Sequence, residues 1–188
     1  MDKTKLGPGS YLLPMPVVLV GANVNDRPNF LTIAYVGIVC HAPAMIEVAL
    51  RKGRFSSDGI KENGTFSVNT ASVDLLEVTD YCGIYSGAKV DKSQLFEVFY
   101  GELKTAPMIA ESPLSMECRL AEVLDLGGSH EVFVGEIVET YCSEEYMTDG
   151  RPDLRKIQPI VYDGSSQSYR GLGESLARAF QVGKDYRS

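Results

Sequence analysis

Two segments of alternating polarity, residues 116–126 and 130–139, are joined only by Gly127-Gly128-Ser129. Period-two alternation lines one face of a strand with one set of side chains. A connection this short permits only an antiparallel hairpin, since a parallel crossover needs a dozen or more residues. The remainder has the same character, with short β-prone runs punctuated by Gly, Pro and Asn. Residues 16–22 read as a strand, followed by a turn at Asn25-Asp26-Arg27-Pro28. Residues 30–36, 44–50 (introduced by Pro43) and 65–69 read as further strands, and 149–153 as a loop within the domain. Helices are expected to be few and short. One spans 57–63 with Ser56 or Ser57 as N-cap and Gly64 at its end. A second spans 73–83, and a third spans 174–180 with Leu176, Ala177 and Phe180 on one face. Many antiparallel strands with few helices give a mainly β or α+β barrel rather than an alternating βαβ fold.

The 188 residues suit a single domain, and no linker, repeat or low-complexity tract divides them. A net charge of -7 argues against a nucleic-acid partner, which needs a broad basic face. No apolar run approaches the roughly 20 residues of a membrane helix, and the start shows no secretory signal pattern. A cytoplasmic location without a membrane partner is the expectation. Cys40, Cys82, Cys118 and Cys142 are scattered, with no C-x-x-C pair, and read as free thiols. The only histidines are His41 and His130, and Cys40 and His41 would alternate faces on a strand, so no metal site is expected.

The familiar catalytic signatures are missing. There is no G-x-x-x-x-G-K-[ST] loop and no G-x-S-x-G elbow. Gly171-Leu172-Gly173 begins a G-x-G-x-x-G pattern, but Leu176 stands where the third glycine belongs. What remains is a local basic cluster in an acidic chain. Arg51, Lys52 and Arg54, followed by Ser56 and Ser57, lie between the end of a strand and the start of a helix. Side-chain cations, hydroxyls and helix N-terminal amides can converge there on one phosphate. On the residues alone the cluster fits a solvated surface turn as well as any phosphate-bearing ligand. The upstream Thr32-Ile33-Ala34 could present backbone groups to a flat polar ring.

The order Asn29-Phe30-Leu31-Thr32, then the Arg51 to Ser57 loop, then Phe66-Ser67-Val68-Asn69, then Ser86-Gly87 and Asp91-Lys92 resembles the flavin reductase-like family, and the flavoredoxins within it. Glu122-Val123-Leu124-Asp125-Leu126-Gly127-Gly128-Ser129-His130 with Val132-Phe133-Val134-Gly135-Glu136 is similar to that family's second half. The likeness runs from about residue 16 to 180. It implies an FMN-binding split β-barrel, single-domain over 1–188 with a core at about 14–182, assembled as a homodimer. The cofactor implied is FMN in preference to FAD, with NAD(P)H as an electron donor and a redox protein or small molecule as acceptor.

Carried over by position, Asn29, Thr32, Ile33 and Ala34 belong to the flavin strand. Arg51, Lys52, Arg54, Ser56 and Ser57 surround the phosphate, Asn69 begins a flavin-facing turn, and Ser86, Gly87 and Lys92 close over the cofactor. The Ala34 amide is placed near the flavin N5, and His130 on the nicotinamide or substrate side. Many relatives carry a threonine at the helix start where this chain has Ser56-Ser57, which keeps the hydroxyl. The rival reading is a non-redox module for another phosphate-bearing cofactor or nucleotide, and behind it a structural barrel whose basic loop serves an interface.

Overall fold

A computed structural model describes residues 1–184 and 186. Seven strands form one sheet: β1 (Val18–Val24), β2 (Arg27–Ile33), β3 (Val36–His41), β4 (Ala44–Arg51), β5 (Thr65–Thr70), β6 (Leu114–Asp125) and β7 (His130–Cys142). Their order is β2-β1-β5-β6-β7-β4-β3, and every neighbouring pair is antiparallel. The two edge strands, β2 and β3, are consecutive in the chain and separated only by Ala34-Tyr35. Two residues cannot span a flat seven-stranded sheet, so the sheet must curl until its edges meet. The Ala49 amide donates to the Tyr35 carbonyl at 2.9 Å, which carries the β3–β4 ladder one rung into the two-residue link. The result is a split barrel.

The expected hairpin is present, with Glu131 paired to Asp125 and Gly127 in the left-handed region that a tight connection needs. Register shifts between Val134 and Gly135, and between Ile137 and Glu139, bend these long strands around the barrel. The first turn is tighter than its sequence suggests. Asn25 and Asp26 both adopt positive φ, as a two-residue hairpin requires, so Arg27 and Pro28 already belong to β2. The predicted strand over 30–36 breaks after Ile33, because the chain must leave one edge of the sheet for the other.

Alternate residues fill the interior: Val18, Val20 and Ala22 from β1, Ile46, Val48 and Leu50 from β4, with Phe66, Val68, Cys118 and Phe133 facing them. Each large apolar side chain buried this way contributes about 1.5–3 kcal/mol. Strand β1 is buried on both faces, because Leu19 points outward into a second cluster with Phe30, Cys82, Phe96 and Ile109. Its continuous Val-Leu-Val run reflects this.

Helix α1 (Phe55–Asn63) closes one end of the barrel, inserting Ile60 among the core residues. It begins two residues before the predicted start, with Arg54 at the N-cap position, so Ser56 and Ser57 lie within its first turn. Gly64 ends it in the left-handed conformation, as expected. Gly59 lets the helix approach β1 closely, and a side chain there would run into the Asn23 carbonyl. Gly59→Ala should therefore cost about 1–3 kcal/mol, read as a lower denaturant midpoint; an unchanged midpoint would mean the helix can retreat freely.

A short 3-10 turn (Val73–Leu75) leads into α2 (Leu76–Ile84), in line with the predicted helix. The C-terminal helix expected over 174–180 is absent. Those residues form no regular element, and Leu176 and Phe180 are almost fully exposed. An isolated seven-residue helix is too short to persist without a surface for its apolar face. A three-stranded sheet, Met15–Pro16 with Val161–Asp163 and Ser168–Arg170, stands beside the barrel. Tyr169 ties it to α2 through a 2.9 Å hydrogen bond from its hydroxyl to Asp80. No helix among the described residues is long and apolar enough to cross a membrane.

Candidate functional site

A cleft of about 390 Å³ opens where the barrel edges meet. One wall is the end of β2 and its link to β3, with Thr32, Ile33, Ala34 and Tyr35. The end of β4 supplies Arg51, and the residue facing it across the ladder, His130 at the start of β7, completes the rim. Sheet pairing thus joins a strand end and a hairpin tip that lie 79 positions apart. Tyr11, Met15 and Tyr162 also line the cleft.

Thr32 is fixed by donating its hydroxyl to the Thr79 carbonyl of α2. Ala34 lies just beyond the β1–β2 ladder, which ends at Ile33. The His130 ring rests at 5.3 Å from the Tyr35 ring, and its Nδ1 lies 2.8 Å from Ser129 Oγ.

Arg54 and Leu31 are shared with a smaller niche lined by Asn29, Ser56, Ser86, Gly87 and Lys92. Its polar groups are ordered. Asn29 Nδ2 donates to Ser56 Oγ at 2.7 Å, inside the first turn of α1. Gly87 packs against Asn29 so closely that any side chain would strike its Oδ1 and the Phe55 ring. The Ser86 hydroxyl and carbonyl accept amide hydrogen bonds from Ala88 and from Lys89 and Val90.

Lys92 is the decisive residue of this niche. It is only 2% exposed, yet among the described residues it makes no ion pair, and neither do Arg51 and Arg54. Its Nζ donates to the carbonyls of Phe30 and Cys82, both at 2.9 Å, which leaves one of three donors unspent. Burial, with the nearby Arg54 charge, holds the ammonium below the usual lysine value, partly opposed by Cys82. A buried cation without a carboxylate is costly unless an anion joins it. Phe55 and Ser56 of the first turn of α1 line the same niche, which sets it beside the positive end of the helix dipole.

Not every predicted residue comes to the site. Lys52 turns away and pairs with Asp125 at the base of the hairpin tip, 2.8 Å apart. Ser57 is buried with its hydroxyl unpaired and lines neither recess. Asn69 is fully buried, and its amide spans Leu19, Ser67 and the Ile109 amide. It braces β5 to its neighbours and has no atom left for a ligand. Lys92 is not a residue that closes over from outside; it is packed inside, under β2. In the other direction, Tyr11, Tyr35, Met15 and Tyr162 line the cleft without having been singled out. Tyr35 adjoins the predicted strand, but nothing local marks the others, which arrive from distant parts of the chain.

The chain matches the flavin reductase like domain over residues 10–169. It belongs to the flavin reductase-like family. It is similar to a flavoredoxin from Methanosarcina acetivorans, with 43% identity, 98% of each chain covered and a TM-score of 0.95. A flavoredoxin of Desulfovibrio vulgaris (Miyazaki F) shows 36% identity over 97% of this chain and 100% of that one, with a TM-score of 0.90. An NADPH-flavin oxidoreductase of Streptomyces viridifaciens is 24% identical over 68% of this chain and 66% of its own length. The split-barrel fold is the family's.

Proposed function

We propose that this protein is a flavoredoxin-type oxidoreductase that holds FMN, its ring against Thr32, Ile33 and Ala34 and its phosphate in the niche of Arg54, Ser56, Ser86 and Lys92. The observation that carries this reading is the buried Lys92 ammonium, unpaired with any carboxylate among the described residues, in a niche that shares Leu31 and Arg54 with the larger cleft. Bound flavin would supply hydride or electron transfer. The chain's own residues bind, orient and exclude water. Arg54 and Lys92 neutralise the phosphate, Asn29 orients the Ser56 hydroxyl, and Thr32 fixes the strand that faces the ring. The link at Ala34 lies outside the β1–β2 ladder, which makes its amide a candidate donor to the flavin N5.

The identity of 43% to a flavoredoxin supports an electron carrier, and the cleft volume, near the low end for small-molecule sites, supports a single stacked ring. NAD(P)H-dependent flavin reduction, which the Streptomyces relative's name describes, is the second reading. Exposed Ile38 and Val39 on the edge strand beside the cleft support self-association as a homodimer. The purified protein should be yellow and release FMN, identified by mass, on denaturation. Colourless protein that takes up no added FMN would sink the proposal. Stopped-flow mixing with NADH and NADPH separates a carrier, whose bound flavin neither reduces quickly, from a reductase.

A further inference from the structure

We propose that Ser129 is a positioning residue that holds the neutral His130 ring in the tautomer protonated on Nε2, and so makes His130 a hydrogen-bond donor towards the cleft. The inference rests on the reading of the cleft as a flavin site, and it concerns the residue that orients whatever exchanges electrons there.

Three observations combine. The Ser129 hydroxyl lies 2.8 Å from His130 Nδ1, and this is its sole side-chain contact among the hydrogen bonds of the described residues. The serine is itself held, because its carbonyl accepts the Lys52 amide at 3.0 Å. The turn before it is anchored as well: Asp125 accepts the Gly127 amide at 2.8 Å and pairs with Lys52. The backbone that carries the hydroxyl is therefore held beside the ring.

If the hydroxyl donates, both groups are satisfied. If it accepted from Nδ1–H, the proton of this exposed hydroxyl would be left to solvent, with no acceptor among the described residues. Which ring nitrogen keeps the proton is set by the hydrogen bond at the other. Nδ1 as acceptor places the proton on Nε2. The ring lines the cleft and leans on Tyr35, which limits its rotation and keeps Nε2 as the free nitrogen. In a neutral imidazole a donor on that side complements an electron-rich oxygen or nitrogen of an incoming donor or acceptor molecule.

The test exploits the presence of only two histidines. Imidazole nitrogen NMR of the full-length protein, at a pH where the rings are neutral, is assigned with His41→Gln. His130 should show the Nε2–H pattern in the wild type and in Ser129→Thr, which keeps the hydroxyl. In Ser129→Ala the signals should move towards the mixed pattern of free imidazole. In the flavin-loaded protein, Ser129→Ala should slow electron transfer to a small quinone acceptor by about 2- to 10-fold, with Ser129→Thr restoring it. An Nδ1–H pattern in the wild type, or an unchanged pattern in Ser129→Ala, would overturn the proposal. A tautomer that changes with no change in transfer rate would overturn the functional part. Failure to bind flavin would instead overturn the reading of the cleft, and the NMR result stands apart from it.

Discussion

Lys92→Met should weaken FMN binding by roughly 10- to 100-fold, the worth of one hydrogen bond to a charged group in a buried setting. Affinity for riboflavin, which has no phosphate, should stay within about 2-fold of the wild type, because methionine fills the same space without touching the ring wall. Paired titrations by fluorescence quenching measure both. An equal loss for the two flavins would show that the substitution acts through the fold. The control matters because Lys92 also caps the Phe30 and Cys82 carbonyls.

The same residue predicts a pH dependence. Burial lowers the Lys92 pKa from the ordinary 10.5, so the folded chain releases this proton before the unfolded chain does. Between those two values the unfolded state binds more protons, and Lys92's contribution to ligand-free stability rises with pH. Phosphate binding needs the ammonium and runs the other way. FMN affinity should fall as pH rises through the folded value, below 10.5, while riboflavin affinity does not. In Lys92→Met that alkaline limb should vanish.

Glu117→Ala should cost on the order of 4 kcal/mol, the largest stability effect expected from a polar substitution in this chain. Glu117 is completely buried, and its carboxylate accepts the amides of Glu102 and Leu103 at 2.9 and 2.7 Å and the Tyr141 hydroxyl at 2.8 Å. Removal strands three donors, each worth about 1–3 kcal/mol when left unmade, with less than full additivity among neighbours. Tyr141 is held above its usual pKa by burial and by this carboxylate, as expected for a phenol that donates.

Glu117→Gln should recover part of the loss, since it keeps one acceptor oxygen and turns the other into a donor facing an amide. Urea unfolding with an unchanged m-value is the measurement. A loss below about 1 kcal/mol would mean that water replaces the carboxylate. The contact reaches the site indirectly. It pins the turn that leads to Met108–Ile109, and Ile109 packs with Phe96 on Phe30, whose carbonyl holds Lys92.

The strands, the long hairpin and α1 could be read locally, because period-two alternation, a three-residue connection and a terminal glycine are properties of neighbouring residues. Where a competing local signal existed, the reading failed. Leu176, Ala177 and Phe180 have helical spacing, but spacing gives no stability without a surface to cover. Ser56 and Ser57 are good caps by type, yet the chain enters α1 through Arg54.

The site divides the same way. Thr32 to Ala34, Arg51 and Arg54 are close in sequence and converge where the curled sheet brings its two edges together. Lys52 resembles Arg54 in charge but alternates to the other side of its turn and finds Asp125. Asn69 and Lys92 could not be ranked from composition, since the first spends all its donors and acceptors in the core and the second keeps one. Burial and partner geometry decide that difference.

By itself the sequence determined the antiparallel architecture, the basic turn at a helix start and the family. These rest on patterns a few residues long. Only the tertiary structure decided that the sheet curls through Ala34-Tyr35, that Tyr11 and Tyr162 wall the cleft, and that Lys92 is buried without a carboxylate partner among the described residues. Those facts depend on which distant residues share a volume from which water is excluded, and a linear pattern does not encode that.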